Sequence, residues 1–596
     1  MSDTVAPRFF TAPQMIGFLL ALLLLIPAVM HAQDAVVLQT SREPGSVLLE
    51  APAEACRIAT LDDQSVPRGN DRRFRFDGVV PGPHTLQCGG AVELYVLDGA
   101  NVRVTLAAGL PPRFDGRGAS LNRYLYAPRS MSTALLADLW TEDASVFASV
   151  WKTAYDDDLR QMRRVAGTTA EFREREARRL QYRFAFGRVV HPYFHWRESD
   201  ANTIQPDTSL TTFLNGLALD DPRWMSLPEH AMLVEAFVHE QARNLLASDS
   251  TLQRGDARWL RAEFRMATTL TDSSLRSRTM GRLLSTWVDD NGSRGLDSVY
   301  ARWLTYGVDS ATRQRVDSLV AVDTGMRRGH AVRVYRTVDG VDLEAHILRP
   351  LFVDSMTVTP VMLWLHGGSW NSGTWWHSPG VLSVLQQSGV TVVAIDLRTA
   401  NRFDGGPLDQ VEDAIRAYDW VRSNADALRI DPQRIGVAGF SSGATVALIL
   451  GTRGLSLPLD GTNTNTAALS AAATERRYPA AVLAVGACVD PAGGGEDGYY
   501  RKMVGRRASV AEFTPILAAD VGQPPTLLVH ADGDEYCDIL RTRVFAERSK
   551  AAGNRTTLSE VAGAGHFFGF YYPPGQRQMR RDIENALMEW GWKVRP

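Results

Sequence analysis

Two adjacent serines lie at the centre of "GVAGFSSGATVALIL", the stretch from Gly436 to Leu450. Ser441 has one glycine two residues before it and another two residues after it, which is the pattern G-x-S-x-G. In this pattern a sharp turn between a buried strand and a helix exposes a nucleophilic serine, and the glycines remove side chains that would collide there. Ser442 has phenylalanine and alanine at those two positions. The spacing therefore predicts that Ser441, rather than Ser442, is a nucleophile.

A serine hydroxyl becomes a good nucleophile only when a base takes its proton and an acid orients that base. His566, in "GAGHFFGFYY" near the C-terminus, is the predicted base. The stretch "LLVHADGDEYCD" contains three candidate acids, Asp532, Asp534 and Asp538. Asp534 is the predicted acid, because it lies in the loop at the carboxyl end of a strand, and Asp532 is the alternative. His530 ends the strand itself, where we expect a structural role.

A glycine-rich loop, "LWLHGGSWNSGTWW", follows another apolar run. It precedes Ser441 by roughly 70 residues. In enzymes with the G-x-S-x-G turn, a glycine-rich loop before the nucleophile forms part of the oxyanion hole. Glycines leave the main-chain N–H groups free to approach a substrate carbonyl, and such donors stabilise the charge that develops on its oxygen. The predicted oxyanion hole consists of the amides of Gly368, Ser369 and Ser442.

Three tryptophans, Trp370, Trp375 and Trp376, follow closely and are candidates for the substrate pocket. Their rings could stack on a sugar or on an aromatic acyl group, and ordinary packing of an apolar loop is the alternative. The span from Asp490 to Gly522 is the candidate lid or acyl-pocket wall. Because this span is short, it favours an open site and short or medium acyl chains.

The motifs "HGGSW", "DPQRIGVAGFSSGA", "HADGDE" and "GAGH" resemble those of an α/β-hydrolase. The resemblance covers Ala331 to Pro596 and is nearest to the esterase/lipase branch with an HGG loop, which includes hormone-sensitive-lipase-like and feruloyl-esterase-like proteins. It implies a serine hydrolase without a metal or an organic cofactor. Ser369 stands where many relatives have a third glycine. In addition, "DLRTANRF" replaces a common D-Y-R-L strand end, which bears on the acyl side of the pocket.

Strands and helices alternate through residues 331–596. Short apolar runs such as "VMLWLH", "TVVAID" and "AAVLAVGA" are typical of strands that are buried on both faces. The stretch Ala331–Pro350 predicts a hairpin around Asp339-Gly340. The pattern predicts a mostly parallel, doubly wound sheet.

Two other regions precede this domain. Residues 35–110 contain short strand-like pieces and resemble a small β-sandwich module of the prealbumin-like kind, whereas residues 120–325 have helical periodicity. Thr168 and Glu171 have capping-box spacing and predict one helix start. His239-Glu240 does not extend to a zinc motif, because Arg243 occupies the place of the second histidine.

The apolar run "MIGFLLALLLLIPAVM" follows Arg8 and predicts a signal peptide over residues 1–32, cleaved after Ala32. A retained anchor is the alternative, because Met30 fits the cleavage site poorly, and membrane contact is expected only in that case. Export permits disulfides. The four cysteines divide into two pairs, Cys56 with Cys88 and Cys488 with Cys537. In the α/β-hydrolase fold the strands before Cys488 and Cys537 are neighbours, so a bond between them would hold the loop that bears the acid.

Together these features predict an exported, periplasmic or secreted serine hydrolase. It would cleave small-molecule or polysaccharide-linked carboxylic esters through an acyl-enzyme. The net charge of −3 indicates no nucleic-acid partner, and the oligomeric state is not predicted. One alternative is a peptidase of the prolyl-oligopeptidase type, although such proteins carry "G-x-S-Y-G-G" at the turn and a β-propeller before it. The other is a binding protein with a vestigial hydrolase domain, which the complete triad disfavours.

Overall fold

The computed structural model describes residues 43–592, with gaps at 53–55, 57, 63, 72, 89–90, 108–109, 128, 132–137, 200–213, 215, 218, 250, 253–255, 351, 457–476 and 493–497. The described residues divide into two compact units, and the division falls between Glu240 and Gln241. The predicted signal peptide, residues 1–32, lies outside the described residues. Among the described helices, none has the length and apolar character needed to cross a membrane. The predicted domain limits at 110, 120, 325 and 331 stay predictions.

The first unit begins with eight strands that form two four-stranded sheets. The strands are β1 Gly45–Glu50, β2 Ile58–Leu61, β3 Gln64–Pro67, β4 Arg73–Val79, β5 Gly82–Gln87, β6 Ala91–Val96, β7 Asn101–Ala107 and β8 Leu110–Gly116. The sheet orders are β4-β1-β7-β8 and β3-β2-β5-β6. Every second residue of β1 is buried, and Leu49 and Phe74 of one sheet share a core with Leu86 and Val96 of the other. This confirms the predicted sandwich-like module.

Helices follow the sandwich in the first unit: α1 Ala119–Leu125, α2 Ala144–Arg163, α3 Ala170–Glu198 and α4 Pro228–Ser248, which crosses the division between the units. The predicted cap of α3 at Thr168 is wrong by one residue. The side chain of Thr169 accepts the hydrogen bond from the N–H of Phe172, whereas the Thr168 hydroxyl is directed back to the carbonyl of Val165. The helix begins at Ala170, so Thr169 is the N-cap residue, and the N-cap oxygen accepts from an N–H two or three residues later.

The second unit opens with four helices: α5 Arg258–Ala267, α6 Ser273–Asn291, α7 Asp297–Leu304 and α8 Ser310–Met326. Two of them begin with an aspartate that caps the first turn. Asp272 accepts from the N–H of Leu275, and Asp309 accepts from the N–H of Thr312. Such caps satisfy N–H groups that have no acceptor within the helix. The predicted helical region is therefore present before the hydrolase sheet.

An eight-stranded sheet forms the centre of the second unit, in the order β16-β15-β14-β13-β11-β12-β10-β9. Its strands are β9 Ala331–Val338, β10 Val341–Leu348, β11 Thr359–Leu365, β12 Thr391–Ile395, β13 Ile430–Phe440, β14 Val482–Val485, β15 Thr526–Ala531 and β16 Thr556–Val561. The strands β11 to β16 are parallel to one another, and the antiparallel pairs are β10 with β12 and β9 with β10. Asp339 and Gly340 both have positive φ, 51° and 78°, as the predicted hairpin requires.

The helices of this sheet are α9 Val381–Gln387, α10 Ala400–Phe403, α11 Pro407–Ser423, α12 Ala425–Leu428, α13 Ser442–Arg453, α14 Gly498–Gly505, α15 Ile539–Ala551, α16 Phe568–Tyr571 and α17 Pro573–Glu589. All residues of β11, β12, β14 and β15 are buried, which explains their continuous apolar character. Since β11, β13, β14 and β15 are parallel neighbours, their carboxyl ends meet at one edge of the sheet. The segments that begin at His366, Ser441, Gly486 and Asp532 all leave the sheet there.

Candidate active site

Ser441 lies in the turn between β13 and α13, with φ 53° and ψ −123°. The two glycines of the motif are required by close main-chain approaches. A Cβ on Gly439 would lie 2.4 Å from the carbonyl carbon of Gly443, and a Cβ on Gly443 would lie 2.2 Å from the carbonyl oxygen of Leu365. Strained backbone of this kind persists only where the surroundings enforce it. The turn therefore presents the Ser441 hydroxyl at the edge of the sheet.

His566 connects the serine to a carboxylate. Its Nε2 lies 3.0 Å from Oγ of Ser441, and its Nδ1 lies 2.7 Å from Oδ2 of Asp534. Because a carboxylate accepts hydrogen bonds, Nδ1 carries the proton and Nε2 is left to accept from the hydroxyl. These atoms have the relative positions of a nucleophile, a base and an orienting acid.

The three candidate aspartates have three separate contacts. Oδ1 of Asp532 accepts from the N–H of Gly563 over 2.8 Å, so this side chain braces the loop before His566. Asp538 caps α15 by accepting from the N–H of Leu540 over 2.8 Å. Among the three candidates, only Asp534 contacts the ring of His566.

The carboxylate of Asp534 is held on both of its oxygens. Oδ1 accepts from the N–H groups of Tyr536 and Cys537 at 2.9 and 2.8 Å. Oδ2 contacts His566 at 2.7 Å and Nε2 of His530 at 3.3 Å. Burial by itself raises the pKa of Asp534, but the hydrogen bonds from His530 and His566 outweigh it and lower the pKa below its usual value. Asp534 is therefore ionised at neutral pH.

The oxyanion loop after β11 has an unusual backbone. Gly368, Ser369 and Trp370 have consecutive positive φ angles of 131°, 48° and 71°. A Cβ on Gly368 would lie 2.0 Å from the carbonyl oxygen of Ser372, so this position accepts only glycine. Ser442 begins α13, and the first N–H groups of a helix have no acceptor within it. The predicted donors thus lie on the two segments that leave β11 and β13.

His366 lies directly before this loop and is 2% exposed. Its Nδ1 donates to the carbonyl oxygen of Gly367 over 2.9 Å. Burial lowers the pKa of His366 to about 4, and this effect exceeds the opposing hydrogen bond to Gly367. The ring is therefore neutral at pH 7 and supports the loop without adding a charge.

Helices α6 and α8 hold the far end of the oxyanion loop, which the sequence did not predict. The N–H of Gly373 donates to the carbonyl oxygen of Asp290, at the end of α6, over 2.7 Å. The indole N–H of Trp376 donates to Oδ1 of Asp323, on α8, over 2.9 Å. Neither contact has a signal in the sequence, because the partners lie 83 and 53 residues apart.

The other two candidate pocket tryptophans differ in their surroundings. Trp375 is 4% exposed, and its ring stacks on His346 at a centroid distance of 4.1 Å. Trp370 is 3% exposed and lies 5.2 Å from the ring of Tyr500 on α14, which belongs to the predicted wall segment 490–522. The stacking on His346 occupies one face of Trp375, whereas Trp370 lies beside Ser369 in the oxyanion loop.

Aromatic rings surround His566. The ring centroids of Phe440, Tyr536 and Phe567 lie 5.1, 5.1 and 5.2 Å from that of His566. The carboxylate of Glu535 accepts from the main-chain N–H of His566 over 3.0 Å and so fixes the loop that carries the base. The run "HFFGFYY" was the available signal for Phe567, whereas Glu535 had none.

Both predicted cysteine pairs are disulfide-bonded in the structure: Cys56 with Cys88 in the sandwich, and Cys488 with Cys537 beside the triad. Among the described residues, Asp534, Cys537 and His566 form a group close enough to hold a metal ion. The sulfur of Cys537 is already bonded to Cys488, so it is not a thiolate ligand.

Comparison with known proteins shows what the residues around this site are similar to. Residues 352–548 match a family model described as BD-FAE, and the matched range contains the oxyanion loop, Ser441 and Asp534. An ethyl acetate hydrolase from Pseudomonas putida is 34% identical over 115 residues, which are 19% of this chain and 36% of that protein. The second unit has the α/β-hydrolase fold, and its matched residues are similar to esterases. The resemblance predicted for this α/β hydrolase from its motifs is thereby confirmed.

Two further proteins are similar to this α/β hydrolase. The uncharacterized peptidase YuxL from Bacillus subtilis is 24% identical over 303 residues, which are 46% of this chain and 42% of that protein. The chain therefore spans less than half of the length of both curated relatives. A thermophilic esterase from Thermogutta terrifontis, solved with propionate bound, is 26% identical, with a TM-score of 0.39; the match covers 45% of this chain and 97% of that one.

Proposed function

We propose that the protein hydrolyses carboxylic esters and that Ser441, His566 and Asp534 are its catalytic triad. The observation that carries the proposal is the continuous chain of contacts from the Ser441 hydroxyl through both nitrogens of His566 to Asp534, at 3.0 and 2.7 Å. The similarity to an ethyl acetate hydrolase supports the same activity.

The proposed reaction is acyl transfer in two steps. Oγ of Ser441 forms a bond to the ester carbonyl carbon while Nε2 of His566 takes the hydroxyl proton. The tetrahedral intermediate then loses the alcohol, which takes that proton from His566. Water, activated by His566, repeats the sequence on the acyl-enzyme and releases the acid and the free serine. Asp534 stabilises the imidazolium that forms in each step.

The oxyanion is proposed to accept hydrogen bonds from the amides of Gly368, Ser369 and Ser442. The loss of one such donor costs roughly 3 to 4 kcal/mol of transition-state stabilisation in enzymes of this kind. The loop lies against the turn that bears Ser441, since a Cβ on Gly367 would lie 3.1 Å from the Cβ of Ser441, and this proximity supports the assignment.

The substrate is proposed to be a small-molecule or polysaccharide-linked ester with a short or medium acyl chain. Trp370, beside the oxyanion loop and against Tyr500, is the proposed contact for the acyl group. The stacking of Trp375 and the hydrogen bond of Trp376 favour packing roles for these two rings.

Export to the periplasm or the medium is proposed from the apolar N-terminal run, and the two disulfides are compatible with an oxidising compartment. A thiol titration of protein isolated from the native host, denatured without reductant, tests this. Two or more free thiols per chain would contradict it.

The second candidate is a serine peptidase, which the match to YuxL favours. An assay of the full chain with p-nitrophenyl acetate and with aminoacyl p-nitroanilides separates the two, with Ser441→Ala as the control. Ester turnover that disappears in the variant supports the esterase. Turnover of the anilides alone would support the peptidase, and equal ester turnover by parent and variant would reject the triad.

A further inference from the structure

A second histidine, His530, contacts the same carboxylate oxygen as His566. His530 is the penultimate residue of β15 and is 1% exposed. Its Nε2 lies 2.7 Å from the carbonyl oxygen of Cys537 and 3.3 Å from Oδ2 of Asp534. Both acceptors lack a hydrogen, so Nε2 carries a proton in either charge state of the ring. On the other side of the ring, Nδ1 lies 3.4 Å from the hydroxyl oxygen of Thr542.

We propose that His530 is a positioning residue of the triad, whose Nε2–H holds Oδ2 of Asp534 against Nδ1 of His566. The proposal rests on the catalytic role proposed above for the triad. It adds a fourth side chain, which touches neither the substrate nor the reacting atoms and acts only through the carboxylate.

The location of His530 explains why it can do this. It lies before the loop that bears Asp534, and its bond to the carbonyl of Cys537 spans that loop from one end to the other. Cys537 is in turn bonded to Cys488. The loop is thus closed by the imidazole at its base, and the carboxylate at its centre has a fixed direction.

The hydrogen-bond donors around the carboxylate of Asp534 also support a positioning role for His530. Main-chain N–H groups donate to Oδ1 of Asp534. The side-chain donors to Oδ2 are two imidazoles, those of His530 and His566. The side chain of Asp534 is fully buried, and a buried carboxylate without donors reverts to the neutral acid. A neutral Asp534 would no longer stabilise the imidazolium of His566.

Two variants of His530 separate hydrogen bonding from packing. His530→Gln keeps an N–H donor at nearly the reach of Nε2, whereas His530→Met has a similar volume and no donor. For the methionine variant we expect kcat to fall roughly 10- to 100-fold, the scale of a misplaced catalytic group, with KM within about twofold. The glutamine variant should retain most of the parent kcat.

The pH profile gives a readout that packing alone would not move. The charged and titratable groups that face His530 are Asp534 and, on the paired strand β16, Glu560. Loss of the donor raises the pKa of Asp534, so the methionine variant should lose activity at a higher pH than the parent as the solution is acidified. The glutamine variant should have the same pH profile as the parent.

Labelling of Ser441 by a fluorophosphonate distinguishes failure of this proposal from failure of the ester proposal. The labelling reaction needs an activated serine, but it does not need an ester that fits the site. If the parent is labelled but hydrolyses no ester, the proposed function is wrong and the labelling rates of the variants still test His530. If the parent is neither labelled nor active, both proposals are wrong. If activity falls equally in the methionine and glutamine variants while their melting temperatures are equal, His530 has a packing role and the proposal is wrong.

The methionine variant could also lose its fold, which the melting temperature would reveal. His530→Asn then takes its place, because its amide donor is too short to reach Oδ2. Slower labelling in the asparagine variant than in the glutamine variant supports the proposal. Equal labelling in these two variants would overturn it.

Discussion

The hydroxyl of Thr445 donates a hydrogen bond to the carbonyl oxygen of Cys488 over 3.0 Å. Thr445 lies one turn into the helix that begins beside the nucleophile. Cys488 is disulfide-bonded to Cys537, whose N–H donates to Asp534 over 2.8 Å. The disulfide therefore lies one hydrogen bond from the helix of the nucleophile and one from the carboxylate of the triad.

Removal of this disulfide should affect both stability and turnover. The bond closes a separation of 49 residues. In the chain-entropy model, a bond that closes a loop of this length stabilises the folded state by about 4 kcal/mol. We expect the variant with Cys488→Ser and Cys537→Ser to unfold more easily and to have a lower kcat, since the loop of Asp534 loses a support. Urea unfolding and ester kinetics measure the two effects.

The bond between Cys56 and Cys88 provides the matched control, because its separation is 32 residues and it lies in the other unit. Serine at both of these positions should lower stability by a similar amount and leave kcat unchanged. A similar decrease of kcat in both double variants would contradict a specific role for the disulfide beside the triad.

Asp534→Asn should lower kcat by about 10⁴-fold, because an amide favours the wrong tautomer of the base. Asp532→Asn is the control in the same loop: its side chain accepts from Gly563 rather than from His566, and its kcat should remain near that of the parent. Kinetics with a p-nitrophenyl ester measure both. A larger loss at position 532 than at 534 would show that the acid is misassigned.

Gly368→Ala should disrupt the oxyanion loop, because the new Cβ would lie 2.0 Å from the carbonyl oxygen of Ser372. Loss of an oxyanion donor costs about 10²- to 10³-fold in kcat. Gly380→Ala is the matched control, with φ of 77° and no atom within 4 Å of its added Cβ. It should cost about 1 kcal/mol of stability and no activity. Near-parent kcat in the first variant would argue against the loop as the oxyanion site.

Trp376→Phe should weaken the support of this loop by α8, because it removes the hydrogen bond to Asp323 and leaves a buried carboxylate oxygen without that donor. We expect a loss of roughly 1 to 3 kcal/mol in unfolding free energy and a lower kcat. Arg315→Gln, at an exposed position on the same helix, is the control. Unchanged kcat after a clear loss of stability would show that α8 supports the fold but not the site.

Acid should destabilise the second unit through His366. Its pKa is lowered to about 4 in the folded state, so the unfolded chain binds the proton first. The contribution of the neutral His366 ring to the free energy of unfolding is therefore complete above pH 6.5. It decreases as the pH falls towards 4, by roughly 3 kcal/mol for a pKa shift of this size. Asp396, His377 and Arg402 are the other charged or titratable groups that act on this ring.

The comparison is between the parent and His366→Asn in urea at pH 7 and pH 4.5. The parent should lose more stability between the two pH values than the variant, because only the parent has this ring to protonate. An equal decrease in both proteins would assign the acid sensitivity to other groups.

Much of this molecule follows from local patterns in the sequence. The alternation of apolar runs and helical periods predicted the strands β11 to β15, since continuous burial leaves a continuous apolar run. Strand β16 had no such signal, because only Thr556 and Val561, at its two ends, are buried. The glycines around Ser441 predicted the turn, since they are needed wherever main chains approach this closely.

Only the tertiary structure decided which aspartate meets the base, because Asp532, Asp534 and Asp538 share one loop and differ only in direction. It also decided what supports the oxyanion loop. Asp290 and Asp323 lie on helices that precede the sheet in sequence, and contacts between such distant residues leave no periodic trace. The sequence by itself determined the candidate nucleophile, the candidate base and the parallel sheet, because turns, spacing and burial patterns are local. The directions of side chains within a loop depend on what packs around it, and that is a property of the folded chain.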